Sequence, residues 1–272
     1  HADFTYILGD ANGAQYNAMA SVFVECETEI LMCFYHVIAK VHERTRYLLP
    51  GKRSLIVADI FDMHYAINAS EFHAKKTSAV RRWLAEPDVE QFGEYFLQQW
   101  LTGTFVKWQD FRTPVGWDTT NNTMETFNAK LKKNYTLQER MLMGSLLGQL
   151  QVCCRMESVS GAEFHEKSTA SSRLRRRATT LRRQRLLVET PSFDGSSNFV
   201  LVVSKATPRI YVKPKRKSMD TVDVAVQLGA NTARMERDEQ PEEGWSVDLT
   251  TRTWACKYFF HKGQCVHLLF AF

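Results

Sequence analysis

Seven large aromatic residues fall within 26 positions: Trp83, Phe92, Tyr95, Phe96, Trp100, Phe105 and Trp108. Rings of this size dominate the energetics of any core they enter, so the segment has to pack. From Ile60 to Trp108 the apolar pattern is helical, and Pro114-Val115-Gly116 breaks it. Upstream, Phe4 to Gly9 is a β-prone apolar run that reads as a buried strand, and Ala14 to Phe23 reads as a helix. A longer helix is expected from about Thr28 to Leu49, with Ile30, Phe34, Val37 and Val41 at helical spacing and a stop at Pro50-Gly51. Leu55 to Val57 suits a short strand or the start of the next helix. Further helices are expected from Asn122 and from Leu137 to about Met156. The expected fold class is α+β, predominantly helical.

After Met156 the composition shifts to Ser, Thr and Arg with no apolar period, so 157–186 reads as poorly ordered. The whole of 157–243 is expected to be a basic linker with strands at Phe199–Val203 and Ile210–Val212. From Arg173 to Lys217 there are thirteen Lys/Arg against Glu189 and Asp194, a local net of +11 in a chain whose total is +5. Arg175, Arg176, Arg177, Arg182 and Arg183, with Lys215, Arg216 and Lys217, are the candidate phosphate contacts. The same clusters suit nuclear import, so a nuclear DNA-binding protein is expected; the bland alternative is a solvated linker. No secretory leader and no apolar run of about 18 residues is read, so no membrane span is expected. The six cysteines are therefore expected as buried thiols or metal ligands rather than disulfides.

Gly244 to Phe272 is compact again. Two strands (Trp245–Leu249 and Trp254–Phe260) are expected, then a turn at Lys262-Gly263 and an apolar helix. Cys256, Cys265 and His267 combine soft thiolates with imidazole at close spacing, the chemistry of a zinc site. A structural zinc wants four protein ligands, and His261 is the nearby candidate for the fourth. The alternative is a metal-free hairpin and helix packed through Phe259, Phe260, Leu268 and Leu269. The segment resembles the SWIM zinc finger, whose pattern is Cys-x-Cys, a gap, then Cys-x-His. Cys256, Cys265 and His267 match its second, third and fourth ligands. Trp254 stands at the first, and indole has no lone pair for a metal. The resemblance implies a small ββα-like zinc module.

SWIM fingers often end Mutator-like (MULE) transposases, and other segments are similar to that family. ILGDANGAQYNAMASVF followed by MCFYHV resembles its second catalytic Asp and its Cys-x-x-His motif, which fall on Asp10, Cys33 and His36. TTNNTMETFNAKLK resembles its third acidic position, at Glu125. Asp62-Met-His-Tyr, Phe96-Leu-Gln-Gln-Trp100 and Trp108 suit the helical insertion of such enzymes, here about 50–112. The resemblance implies an RNase H-like core over 1–156 whose carboxylates hold Mg²⁺ or Mn²⁺ for DNA cleavage and strand transfer. Read without the family, Asp10 can cap a helix, Glu125 can close a capping box with Asn122, and Cys33 and His36 can be buried structure. Asp3 is the candidate first carboxylate, but seven residues of strand span about 23 Å at roughly 3.3 Å each. Two catalytic metals stand only about 3.5–4 Å apart. The expected core is thus incomplete, and the chain starts at His1 as a fragment would. The expectation is a transposase-derived DNA-binding protein that is inactive in transposition. The alternative is a non-enzymatic zinc-dependent DNA or protein interaction module used in transcriptional regulation.

Overall fold

The computed structural model describes residues 4–24, 27–159, 168–190, 198–206, 235–251 and 256–272. The fold is α+β and mostly helical, with two small sheets. The chain divides into two compact units, one of residues 1–119 with 167–272 and one of residues 120–166. Among the described residues no helix is long and apolar enough to cross a membrane.

The first unit opens with strand β1 (Tyr6–Gly9), helix α1 (Gly13–Val22) and strand β2 (Glu29–Met32). β1 and β2 pair in parallel, Tyr6 opposite Glu29 through Gly9 opposite Met32. Asn12 caps α1, its side-chain oxygen accepting from the Gln15 N–H at 3.1 Å, so capping does not fall to Asp10. The expected long helix from Thr28 is split. Ile30 to Met32 form β2, and helix α2 (Phe34–Arg44) begins only after Cys33, whose N–H reaches Gly9 at 2.9 Å. The cause is tertiary: β1 offers a row of backbone groups that a helix at 29–32 would leave unpaired.

Pro50-Gly51, read as a stop, starts helix α3 (Pro50–His64). Proline suits the first helical position because the N–H it lacks has no partner there anyway. Helix α4 (Ala69–Ala85) is capped by Asn68, whose side-chain oxygen accepts from the Glu71 N–H at 2.9 Å, while the Glu71 carboxylate accepts from the Ile67 N–H at 2.8 Å. Helix α5 (Glu90–Phe96) runs into a π-helical turn at Leu97–Leu101. Phe34, Val37, Ile60, Trp83, Phe92, Phe96, Trp100 and Trp108 form the core between these elements. Buried indoles find acceptors: Trp108 Nε1 donates to the Trp100 carbonyl at 2.8 Å and Trp83 Nε1 to Asp59 at 2.9 Å.

The second unit holds helices α6 (Asn122–Asn134) and α7 (Met143–Val159). They are tied by Lys130 and Tyr135, which both donate to Glu157, at 2.7 and 3.3 Å.

Back in the first unit, 172–183 is ordered rather than loose. It is helix α8 (Ser172–Arg183), followed by strands β3 (Leu187–Thr190), β4 (Phe199–Ser204) and β5 (Trp245–Asp248) in an antiparallel sheet of that order. Leu174, Ala178 and Leu181 lie at i, i+4 and i+7 and give α8 a buried stripe. The strand expected at 254–260 is a helix where it is described: α9 (Lys257–Lys262), then α10 (Val266–Ala271). Gly263 (φ +65°) caps α9 in the left-handed region, and a Cβ there would sit 2.0 Å from Ser168 Oγ. Together these elements enclose a second core: Leu174, Ala178, Leu181, Leu187, Val202, Val247, Cys256, Cys265 and Leu268.

Candidate metal centre

Cys256 is the residue before α9, Cys265 the residue before α10, and His267 the second residue of α10. The αL turn at Gly263 folds the two helices so that all three side chains meet. Their ligand atoms lie within 4.8 Å of one another, and all three residues are fully buried. Cys265 Sγ is 3.3 Å from His267 Nδ1. Ligands sharing one tetrahedral zinc stand about 3.3–3.8 Å apart, given bonds of about 2.0–2.3 Å. His267 Nε2 is buried and has no hydrogen-bond partner among the described residues. Burial pushes the Cys256 thiol upward, but hydrogen bonds from Cys265 and His267 prevail and bring it down to about 5. Burial drives the Cys265 thiol well up. The residues fit a metal ion, and their donor set suits zinc.

The surroundings are charged and specific. Glu236 is 1% exposed beside this cluster, and both its carboxylate oxygens accept from Arg177, at 2.6 and 3.3 Å. Burial raises the Glu236 carboxyl, while Arg177 works against that rise. Trp245 Nε1 donates to the Glu236 carbonyl at 2.9 Å. Lys257 is buried and pairs with Asp238, Glu239 and Glu71, at 2.9, 3.1 and 3.2 Å, so α9 is clamped to the start of α4.

His261, expected as the fourth ligand, is placed elsewhere. Its Nδ1 is 3.1 Å from Asp110 Oδ1, with the Tyr65 ring 5.2 Å away. Trp254 and Asp3 lie outside the described residues, as do Lys215, Arg216 and Lys217. Arg175, Arg176, Arg182 and Arg183 are exposed on α8, and Arg182 covers the Phe270 ring at 5.4 Å. Arg177 is turned inward to Glu236.

Asp10, Cys33 and His36 converge as a second group, with ligand atoms within 4.8 Å of one another. The parallel pairing explains it: Asp10 follows β1 and Cys33 follows β2, so both stand at the same end of the sheet. Glu125 is exposed in the first turn of α6, in the second unit. The α6 cap is Asn121 and makes no side-chain capping bond.

Glu236, Lys257 and Asp110, the partner of His261, were not singled out by sequence reasoning. Arg177 lies 59 residues from Glu236, Glu71 lies 186 from Lys257 and His261 lies 151 from Asp110, and no local pattern marks these pairs. No protein-family model, curated protein or solved structure matches the chain.

Proposed function

We propose that this chain is a zinc-organised DNA-binding protein of transposase descent. Its C-terminal segment is a SWIM-type finger with three protein ligands, and its N-terminal segment is an incomplete RNase H-like core. One observation carries the reading: the Cys256, Cys265 and His267 cluster lies in the same core as the apolar stripe of α8. A cation there neutralises two thiolates and closes the core under a helix whose outer face is arginine. Zinc supplies a fixed tetrahedral anchor in that position and no reaction. Arg173, Arg175, Arg176, Arg182 and Arg183 then present a rigid basic surface to phosphates, in the nucleus on this reading.

Strand transfer with Mg²⁺ or Mn²⁺ is not part of the proposed activity. Asp10 stands beside a thiol and an imidazole, whereas magnesium prefers oxygen ligands. The converse finding, metal-dependent nicking abolished by Glu125→Ala, would overturn the claim of inactivity.

Binding to a DNA duplex, followed against salt, tests the proposal. Each phosphate contact contributes about 0.9 to the slope of log affinity on log salt. Replacing Arg182 and Arg183 by Ala lowers that slope by about 2 without changing zinc content. An unchanged slope removes α8 from the interface. The second reading, a non-enzymatic zinc-dependent DNA or protein interaction module, predicts in its protein-binding form no salt-dependent DNA binding.

A further inference from the structure

We propose that Asp10, Cys33 and His36 form a second zinc-class metal site, with a coordination position open to solvent. The proposal does not depend on the C-terminal centre, which lies in a different core.

Three observations converge. The donors come from independent points of the fold: Asp10 from the end of β1, Cys33 from the end of β2, His36 from the first turn of α2. The backbone fixes them, because the Cys33 N–H donates to Gly9 and the His36 N–H to the Cys33 carbonyl, at 2.9 and 3.2 Å. His36 Nδ1 is then 3.5 Å from Asp10 Oδ1, and it has no hydrogen-bond partner among the described residues. A carboxylate and an imidazole on one tetrahedral zinc stand about 3.3–3.5 Å apart, from bonds of about 2.0–2.2 Å. In an octahedral magnesium shell, adjacent ligands at about 2.0–2.1 Å stand only about 2.9 Å apart. The separation and the sulfur donor both select zinc over magnesium.

The burial is graded. Cys33 is 1% exposed, while the side chains of Asp10 and His36 are 35% and 31% exposed. The thiolate and the buried His36 Nδ1 are therefore dry, and solvent reaches the site from the side of the Asp10 carboxylate. Three protein ligands with one wet face are the arrangement in which zinc keeps a water molecule in its fourth position. Open α/β sheets also place ligands at the carboxyl ends of parallel strands, where these residues stand.

The whole chain is stripped of metal with a chelator, reloaded with zinc, desalted and assayed for zinc per chain. The expected content is two for the unmodified protein. Cys33→Ser, His36→Gln and Asp10→Asn each lower it to one, as does Cys265→Ser, and Cys33→Ser combined with Cys265→Ser leaves none. Should Cys33→Ser fail to fold, the half-exposed His36→Gln and Asp10→Asn variants, checked by circular dichroism, decide alone. Cobalt loading gives a second readout, because the thiolate-to-cobalt absorbance falls by about a third when only Cys33 of the three thiolates is lost. An unmodified content of one that His36→Gln and Asp10→Asn leave unchanged overturns the proposal. A content of one that Cys265→Ser leaves unchanged overturns instead the C-terminal centre.

Discussion

Arg177 belongs to α8 by sequence and to the interior by chemistry. Its guanidinium holds the carboxylate of Glu236, which has almost no contact with water. Removing one partner of such a pair strands a buried charge, which costs roughly 3–5 kcal/mol when both partners are buried. Arg177 is a third exposed, so Arg177→Ala is expected to cost about 2–3 kcal/mol in urea unfolding. Arg176→Ala, on the outer face, is expected within about 0.5 kcal/mol. His64 makes a second residue-scale prediction. It is fully buried, stacked on Phe34 at 3.5 Å, and its Nδ1 meets the Trp108 carbonyl at 2.7 Å. Burial lowers its pKa from 6.5 to about 4, with Asp110 opposing. The neutral ring is thus favoured in the folded chain. Its contribution is fully present above pH 6.5 and is lost as pH falls toward 4, because the unfolded chain takes the proton first. The shift corresponds to about 3 kcal/mol, at 1.36 kcal/mol per unit. Urea unfolding at pH 7.5 and 4 should show His64→Gln losing about that much less than the unmodified chain between the two.

At the scale of elements, the sheet and α8 are set by a few close approaches. Gly244 (φ +99°) leads into β5, and a Cβ there would lie 2.7 Å from the carbonyl group of Val202 on β4. Backbone cannot move aside as a flexible side chain can. Gly244→Ala is therefore expected to cost about 2 kcal/mol, read as a lowered melting temperature. Leu181→Ala, in the buried stripe of α8, is expected to cost about 2–4 kcal/mol, and Arg183→Ala close to none. These elements also show what the sequence could reveal. β1, α1, β4 and β5 were legible because their apolar runs are short, bounded and self-consistent. The stripe of α8 was present at Leu174, Ala178 and Leu181, but the surrounding arginines gave the segment the composition of a solvated linker. β2 was hidden because Ile30 to Met32 satisfy a helical period as well as a strand. Only the partner, β1, decides between them. α9 reads as a strand through Tyr258, Phe259 and Phe260. Its helical form goes with anchors remote in sequence: Lys257 on Glu71 and His261 on Asp110.

At the scale of the whole molecule, the residues of the C-terminal candidate centre were legible. Cys256, Cys265 and His267 come together as their types and spacing suggested, whereas the meeting of Asp10 with Cys33 and His36 depends on the pairing of β1 with β2 and was not legible in the sequence. Among the described residues no fourth protein ligand joins them, and His261, expected in that role for the C-terminal centre, is held by Asp110, a residue 151 positions away. Zinc is proposed to do for the second core what the aromatic cluster does for the first. The most direct measurement is the affinity of the whole chain for a DNA duplex, taken zinc-loaded, after chelation, and for Cys265→Ser at fixed salt. Loss of zinc is expected to weaken binding by at least tenfold, about 1.4 kcal/mol, although every arginine of α8 is retained. Equal affinity in all three states would contradict a metal-organised basic surface.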